Sequence, residues 1–137
     1  MNKIKNILKG GLPLLFLGLL TACSGSSELE IGQKTTCEVQ KVYQAGTVLL
    51  GEEVKAKFNI ENTGDYPLII SEVKGSCSCT VTDYPKEPIA PGKSGTINAF
   101  VKTENASVGK LVKEVRIVSN TEPSVTAVRI EAEVVRK

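Results

Sequence analysis

Four cysteines carry most of the chemistry this 137-residue chain can offer: Cys23, Cys37, Cys77 and Cys79. The last two stand one residue apart in Lys74-Gly75-Ser76-Cys77-Ser78-Cys79-Thr80. Such a pair can bridge, bind a soft metal or exchange with another thiol. In a regular strand, residues i and i+2 share a face with about 7 Å between Cα atoms, at the limit of disulfide reach. A bridge between Cys77 and Cys79 therefore needs a bent backbone, whereas Cys37 can cross to either one if its strand packs nearby. Three thiolates together would suit Cu(I) or another soft ion. Against that, Cys-x-Cys alone is a weak metal signal, and only Lys74 stands nearby to lower a thiol pKa. Packing as small core residues, free or bridged, is the plainest role for all three.

The rest of the composition narrows the chemistry. There is no histidine, and the sole methionine is Met1. This removes Ser-His-Asp and Cys-His catalysis, His-ligated zinc or copper, and a Cys/Met copper site. The expectation is a protein that is not an enzyme and holds no metal or cofactor. Glu52-Glu53 and Glu131/Glu133 are paired carboxylates by spacing, but outward positions on half-buried strands account for them. Asn105-Ala106-Ser107 matches a glycosylation sequon, and Tyr66 and Tyr84 flank the cysteine segment.

The N-terminus predicts an address. Lys3, Lys5 and Lys9 precede the apolar run Gly11 to Leu20, which is too short to cross a bilayer about 30 Å thick as a helix. The run ends in Leu20-Thr21-Ala22-Cys23, which resembles the bacterial lipobox. That resemblance implies a signal peptide over 1–22, a diacylglyceryl thioether on Cys23 and cleavage before it. Several acyl chains on one residue hold a protein firmly, each buried CH₂ contributing about 0.8 kcal/mol. Residues 23–33 form a flexible tether, and a segment of about ten residues reaches some 17 Å. Ser24 stands where an inner-membrane retention signal has aspartate, so the expected address is the outer membrane of a Gram-negative cell. Without residues 1–22 the formal charge falls from +2 to −1, because Lys3, Lys5 and Lys9 go with them. No basic patch remains to recruit nucleic acid.

With Cys23 lipidated, three cysteines are left, and an odd count leaves at least one thiol free, modified or paired between molecules.

The elements that must position these residues read as strands. Val54, Ala56, Phe58 and Ile60 alternate with Lys55, Lys57 and Asn59, which gives a strand with one buried face. Asn62-Thr63-Gly64-Asp65 and Pro91-Gly92-Lys93-Ser94-Gly95 are turns. Val128, Ile130, Ala132 and Val134 alternate with Arg129, Glu131 and Glu133. Strands are expected over 34–43, 46–50, 53–61, 66–74, 77–82, 94–102, 111–119 and 125–135. Short alternating strands separated by regular turns predict one all-β domain over 34–137, an immunoglobulin-like antiparallel β-sandwich of seven or eight strands.

Several motifs then occur together: Phe58 with Asn62-Thr63-Gly64-Asp65-Tyr66-Pro67-Leu68, Ser76-Cys77-Ser78-Cys79-Thr80, Pro88-Ile89-Ala90-Pro91-Gly92, and Ser119-Asn120. Over about residues 45–135 the chain resembles a family of uncharacterised bacterial immunoglobulin-like lipoproteins and exported domains. More distantly, it is similar to Hydin-type and major-sperm-protein-like sandwiches. The resemblance implies a protein-interaction module and no activity. Ser78 departs from the family's usual glycine between the cysteines. The function expected is a lipid-anchored envelope module that binds or scaffolds an envelope protein, through end loops or an edge strand. The alternative is a thiol-based Cu(I) or redox protein built on Cys77, Cys79 and Cys37.

Overall fold

A computed structural model describes residues 32–137. The leader 1–22, Cys23 and the tether as far as residue 31 lie outside the described residues. Eight strands follow: β1 (Cys37–Val39), β2 (Val42–Leu49), β3 (Glu53–Asn62), β4 (Ile70–Gly75), β5 (Thr80–Asp83), β6 (Ser94–Lys102), β7 (Gly109–Ser119) and β8 (Val125–Val135). They form two four-stranded sheets, β1-β3-β6-β5 and β2-β8-β7-β4. This is the expected immunoglobulin-like sandwich.

The alternation in β3 translates directly into packing. Val54, Ala56, Phe58, Ile60 and Asn62 are buried, and every residue between them is exposed. Phe58, Ile60, Ile97, Val101, Val115, Ile117, Val128 and Val134 are among the fully buried side chains filling the space between the sheets. Removing that much apolar surface from water is the main term favouring the fold, at about 25 cal/mol per Å².

The boundaries differ from expectation where the chain changes sheets. The strand expected over 34–43 divides at Gln40-Lys41, because β1 pairs with β3 in one sheet while β2 pairs with β8 in the other. The Gln40 amide donates to the Val42 carbonyl at this bend. β2 then runs without a break to Leu49, with a bulge at Ala45, between Gln44 and Gly46, and the φ of 70° at Gly46 favours glycine. The β2–β8 pair is parallel, so one sheet of the sandwich is mixed. Residues 66–69 form a loop before β4, tied by Leu68 to Ile89 in an isolated bridge.

Two asparagines of the quoted motifs lock one end of the sandwich. Asn62 is fully buried; its Oδ1 accepts from Thr35 Oγ1 and the Gly64 N–H, and its Nδ2 donates to the Tyr66 and Ile89 carbonyls. Asn120 accepts from the Ile69 N–H through Oδ1 and donates to the Gln33 and Pro67 carbonyls. Loops that carry no ladder bonds find their partners here, as buried backbone groups must.

Candidate functional site

Cys77 and Cys79 lie at the opposite end of the sandwich. Instead of opening a strand, they sit in the short connection between β4 and β5. That connection carries the chain from one sheet to the other, so both ends are held. The Ser76 N–H donates to the Glu114 carbonyl on β7, and the Lys102 N–H on β6 donates to the Cys79 carbonyl. Between these anchors the Thr80 N–H donates to the Cys77 carbonyl at 3.1 Å, which closes a tight turn over Cys77–Thr80. The turn brings the two Cα atoms to 5.2 Å, and the sulfurs are bonded as a disulfide. The bent backbone that a Cys-x-Cys bridge requires is thus supplied by the sheet-to-sheet crossover.

Gly75 and Thr80 support the bridge from below. A Cβ on Gly75 would lie 2.5 Å from Thr80 Cβ and 2.7 Å from its Cγ2. Only glycine lets Thr80 sit this close. The Thr80 hydroxyl in turn lies 3.6 Å from Cys77 Sγ and 3.9 Å from Cys79 Sγ. Both cysteines are half-buried, and Ser78 at the tip is exposed.

On the Cys79 side the turn borders a recess of about 230 Å³, lined among others by Lys102, Glu104, Asn105 and Lys113. Lys113 is the residue that reading the sequence missed, and a signal for it existed. It occupies the slot of β7 that points between the sheets, in register with buried Leu111, Val115 and Ile117. A lysine between buried Leu111 and Val115 interrupts the apolar period just past the last β4 pairing, Gly75 with Val115, and there it lines the recess.

Cys37 does not join this site. It pairs with Asn62 across β1 and β3, whereas Thr80 aligns with Val101 and Val101 with Val54. Eight residues of β3 separate the two levels, roughly 26 Å at the usual rise per residue. Three thiolates around one ion, or a bridge from Cys37 to either partner, are therefore not formed. Among the described residues no group of three or more Cys, Asp or Glu lies together to hold a metal. The Cys37 thiol is free and packs half-buried against the core. Burial pushes its pKa up, and the nearby Lys41 charge only partly opposes this.

The other candidates have local roles. Glu52 Oε2 accepts from the Leu49 N–H across the β2–β3 turn, and Glu53 stands exposed opposite Lys102. Glu131 meets Lys110 at 3.7 Å and accepts from Gln44, and Glu133 is exposed. The Tyr84 hydroxyl donates to the Ser71 carbonyl, and Lys86 Nζ lies 3.2 Å from the Tyr84 ring centre. Tyr66 is exposed near the asparagine clamps.

Solved structures share this architecture. A protein of unknown function from Porphyromonas gingivalis W83 is similar over 80% of this chain, with 21% identity and a TM-score of 0.65. The present chain spans about half of that protein, 51% of its length. The seventh PapD-like (ASH) domain of human CEP192 matches over 76% of this chain and 88% of its own, at 9% identity and a TM-score of 0.60. Part of the Vibrio cholerae VesB protease, 31% of it, matches 71% of this chain at 15% identity and a TM-score of 0.59. At these identities the likeness concerns the fold alone. No curated protein matches the sequence. A family model does match, over residues 36–134, which takes in every strand from β1 to β7 and nearly all of β8. The chain belongs to the family described as protein of unknown function DUF1573.

Proposed function

We propose that this protein is a non-catalytic module of the bacterial envelope, anchored through lipid on Cys23 at the outer membrane, that binds or scaffolds another envelope protein. The observation that carries the reading is an apolar spot on a face that should be polar. Along β6, Ile97, Ala99 and Val101 turn inward, so Phe100 stands on the outer face, between Lys55 of β3 and Val81 of β5. Val81 is 54% exposed, and Phe100 is not packed against the core. A half-buried phenylalanine on the outer face beside an exposed valine favours a contact surface. β5 is also an edge strand, so an extended segment of a partner can add to it. The asparagine clamps at the far end act on the fold itself, which leaves the crossover end for recognition.

Two measurements test this. A photo-crosslinking residue at position 81 in cells should give one discrete protein adduct that Phe100→Lys abolishes, and the same probe at the outward position 133 should give none. Indistinguishable crosslinking at the two positions would remove the docking surface. Separately, Cys23→Ala should release the protein from the membrane fraction with no acyl mass; retention of either would remove the anchor.

A further inference from the structure

We propose that the Cys77–Cys79 bridge is a thiol–disulfide exchange site, attacked at Cys79 from the lysine-lined recess, with Thr80 positioned to stabilise the thiolate that leaves on Cys77. This goes beyond the docking role and rests on different residues.

Access comes first. Both cysteines are half-exposed in a turn at the end of the sandwich, and Cys79 lines the recess while Cys77 faces a separate shallow depression beside Lys74. The approaching sulfur and the leaving sulfur therefore lie on different sides of the turn. The recess lining carries two ammonium groups, Lys102 and Lys113, and one carboxylate, Glu104, with Glu53 across the ladder from Lys102. Among the described residues neither lysine is ion-paired; the ion pairs there involve Lys34, Lys110 and Arg116. Unpaired ammonium groups beside a half-exposed sulfur attract a thiolate and lower its energy once formed.

Thr80 supplies the second observation. The residue is only 8% exposed, and among the described residues its hydroxyl is hydrogen-bonded to the two bridge sulfurs alone. A disulfide sulfur is a weak acceptor, whereas a thiolate accepts a charge-assisted bond of about twice the strength. The buried hydroxyl is thus better satisfied in the reduced state than in the oxidised one. Gly75 holds it there, since any Cβ at that position would displace Thr80.

The exchange balances as follows. An incoming cysteine thiolate, from a protein dithiol or a small thiol, bonds to Cys79 Sγ. The Cys77–Cys79 bond breaks, and its electron pair leaves on Cys77 Sγ, which accepts a hydrogen bond from the Thr80 hydroxyl. A second thiolate then attacks the sulfur of the first attacker, and Cys79 leaves as a thiolate. The attacking pair ends as a disulfide and both cysteines end reduced, with two electrons transferred; the reverse sequence oxidises a dithiol. Cys37 takes no part, being at the other end of the fold.

The test equilibrates the whole folded chain with graded ratios of reduced to oxidised glutathione, then with reduced thioredoxin, followed by acid quench, alkylation and peptide mass mapping. Mapping separates Cys77 and Cys79 from Cys23 and Cys37. The bridge should open and reclose with the circular dichroism unchanged. Opening by thioredoxin alone would assign a protein dithiol as reductant, and opening by glutathione a small thiol. Cys77→Ser should collect a glutathione adduct on Cys79. Thr80→Val should lower the equilibrium constant for opening by about tenfold, and Thr80→Ser should restore it. Lys113→Gln should slow attack several-fold. A bridge that both reductants leave closed until the protein unfolds, or an equilibrium that Thr80→Val does not move, would overturn the proposal.

Discussion

Asn62 Nδ2 lies 2.8 Å from the Ile89 carbonyl oxygen, in a site with no access to water. The same side chain reaches Tyr66, Gly64 and Thr35, so one residue ends β3, holds the loop that follows it and secures the segment before β1. Asn62→Ala leaves these groups without their partner inside the protein. A buried polar group deprived of its bond costs about 1–3 kcal/mol, so the substitution should lower unfolding free energy by about 2–4 kcal/mol. Urea denaturation, with unchanged slope, is the check.

Gly64 stands within the same clamp. A Cβ there would come 2.6 Å from the Thr36 amide nitrogen and collide with Thr35 Oγ1. Backbone cannot yield as a flexible side chain does, so Gly64→Ala should destabilise by about 1–3 kcal/mol, the usual cost of overpacking. A melting temperature within one degree of the parent would contradict the close approach.

Gly75 predicts a local effect at the other end. Gly75→Ala pushes on Thr80 Cβ and Cγ2, and Thr80 begins β5. Amide exchange should therefore quicken across Thr80–Asp83 while protection around Asn62 and Asn120 stays as it was. Uniform loss of protection would mean that the crossover is not separable from the rest of the sandwich.

The bridge should matter little to global stability. It closes a ring of only three residues, for which loop-closure entropy gives about 1.6 kcal/mol. Replacing Cys77 and Cys79 together by serine should therefore cost no more than about 2 kcal/mol. A loss several times larger, measured by denaturant unfolding, would make the bridge a structural staple.

Cys37 should respond to pH as a half-buried thiol. Its pKa is raised by burial, so its alkylation rate should climb at higher pH than that of a free cysteine, with the excess protection lost in denaturant. The sign for stability follows. The neutral thiol is favoured in the folded state, so this contribution is present below the unfolded thiol pKa and lost as pH rises through the folded one. Alkylation at the rate of a model thiol across the pH range would contradict its packing against the core.

What the sequence determined by itself was local. Alternation in Val54–Ile60 and Val128–Val134 names the buried face because successive side chains in a strand point opposite ways, whatever lies around them. Asn62-Thr63-Gly64-Asp65 and Pro91-Gly92 declare turns by the local backbone preferences of Asn, Gly, Asp and Pro, and Gly92 does take a positive φ of 72°. Together these were enough for the sandwich. Tertiary structure decided the rest. Nothing in Gln40-Lys41 says that the chain changes sheets there, since a strand's partner is chosen by distant residues, and the parallel β2–β8 pairing follows from that choice. Cys77-Ser78-Cys79 reads locally as the start of a strand. It becomes a bridged turn because Glu114 and Lys102, far along the chain, hold its two ends on different sheets. The same separation of levels along β3 keeps Cys37 away, so three cysteines that look like one set in the sequence are a pair and a bystander in the fold. Thr80 and Lys113 acquire meaning only beside that pair, where a buried hydroxyl and two unpaired ammonium groups surround a half-exposed disulfide.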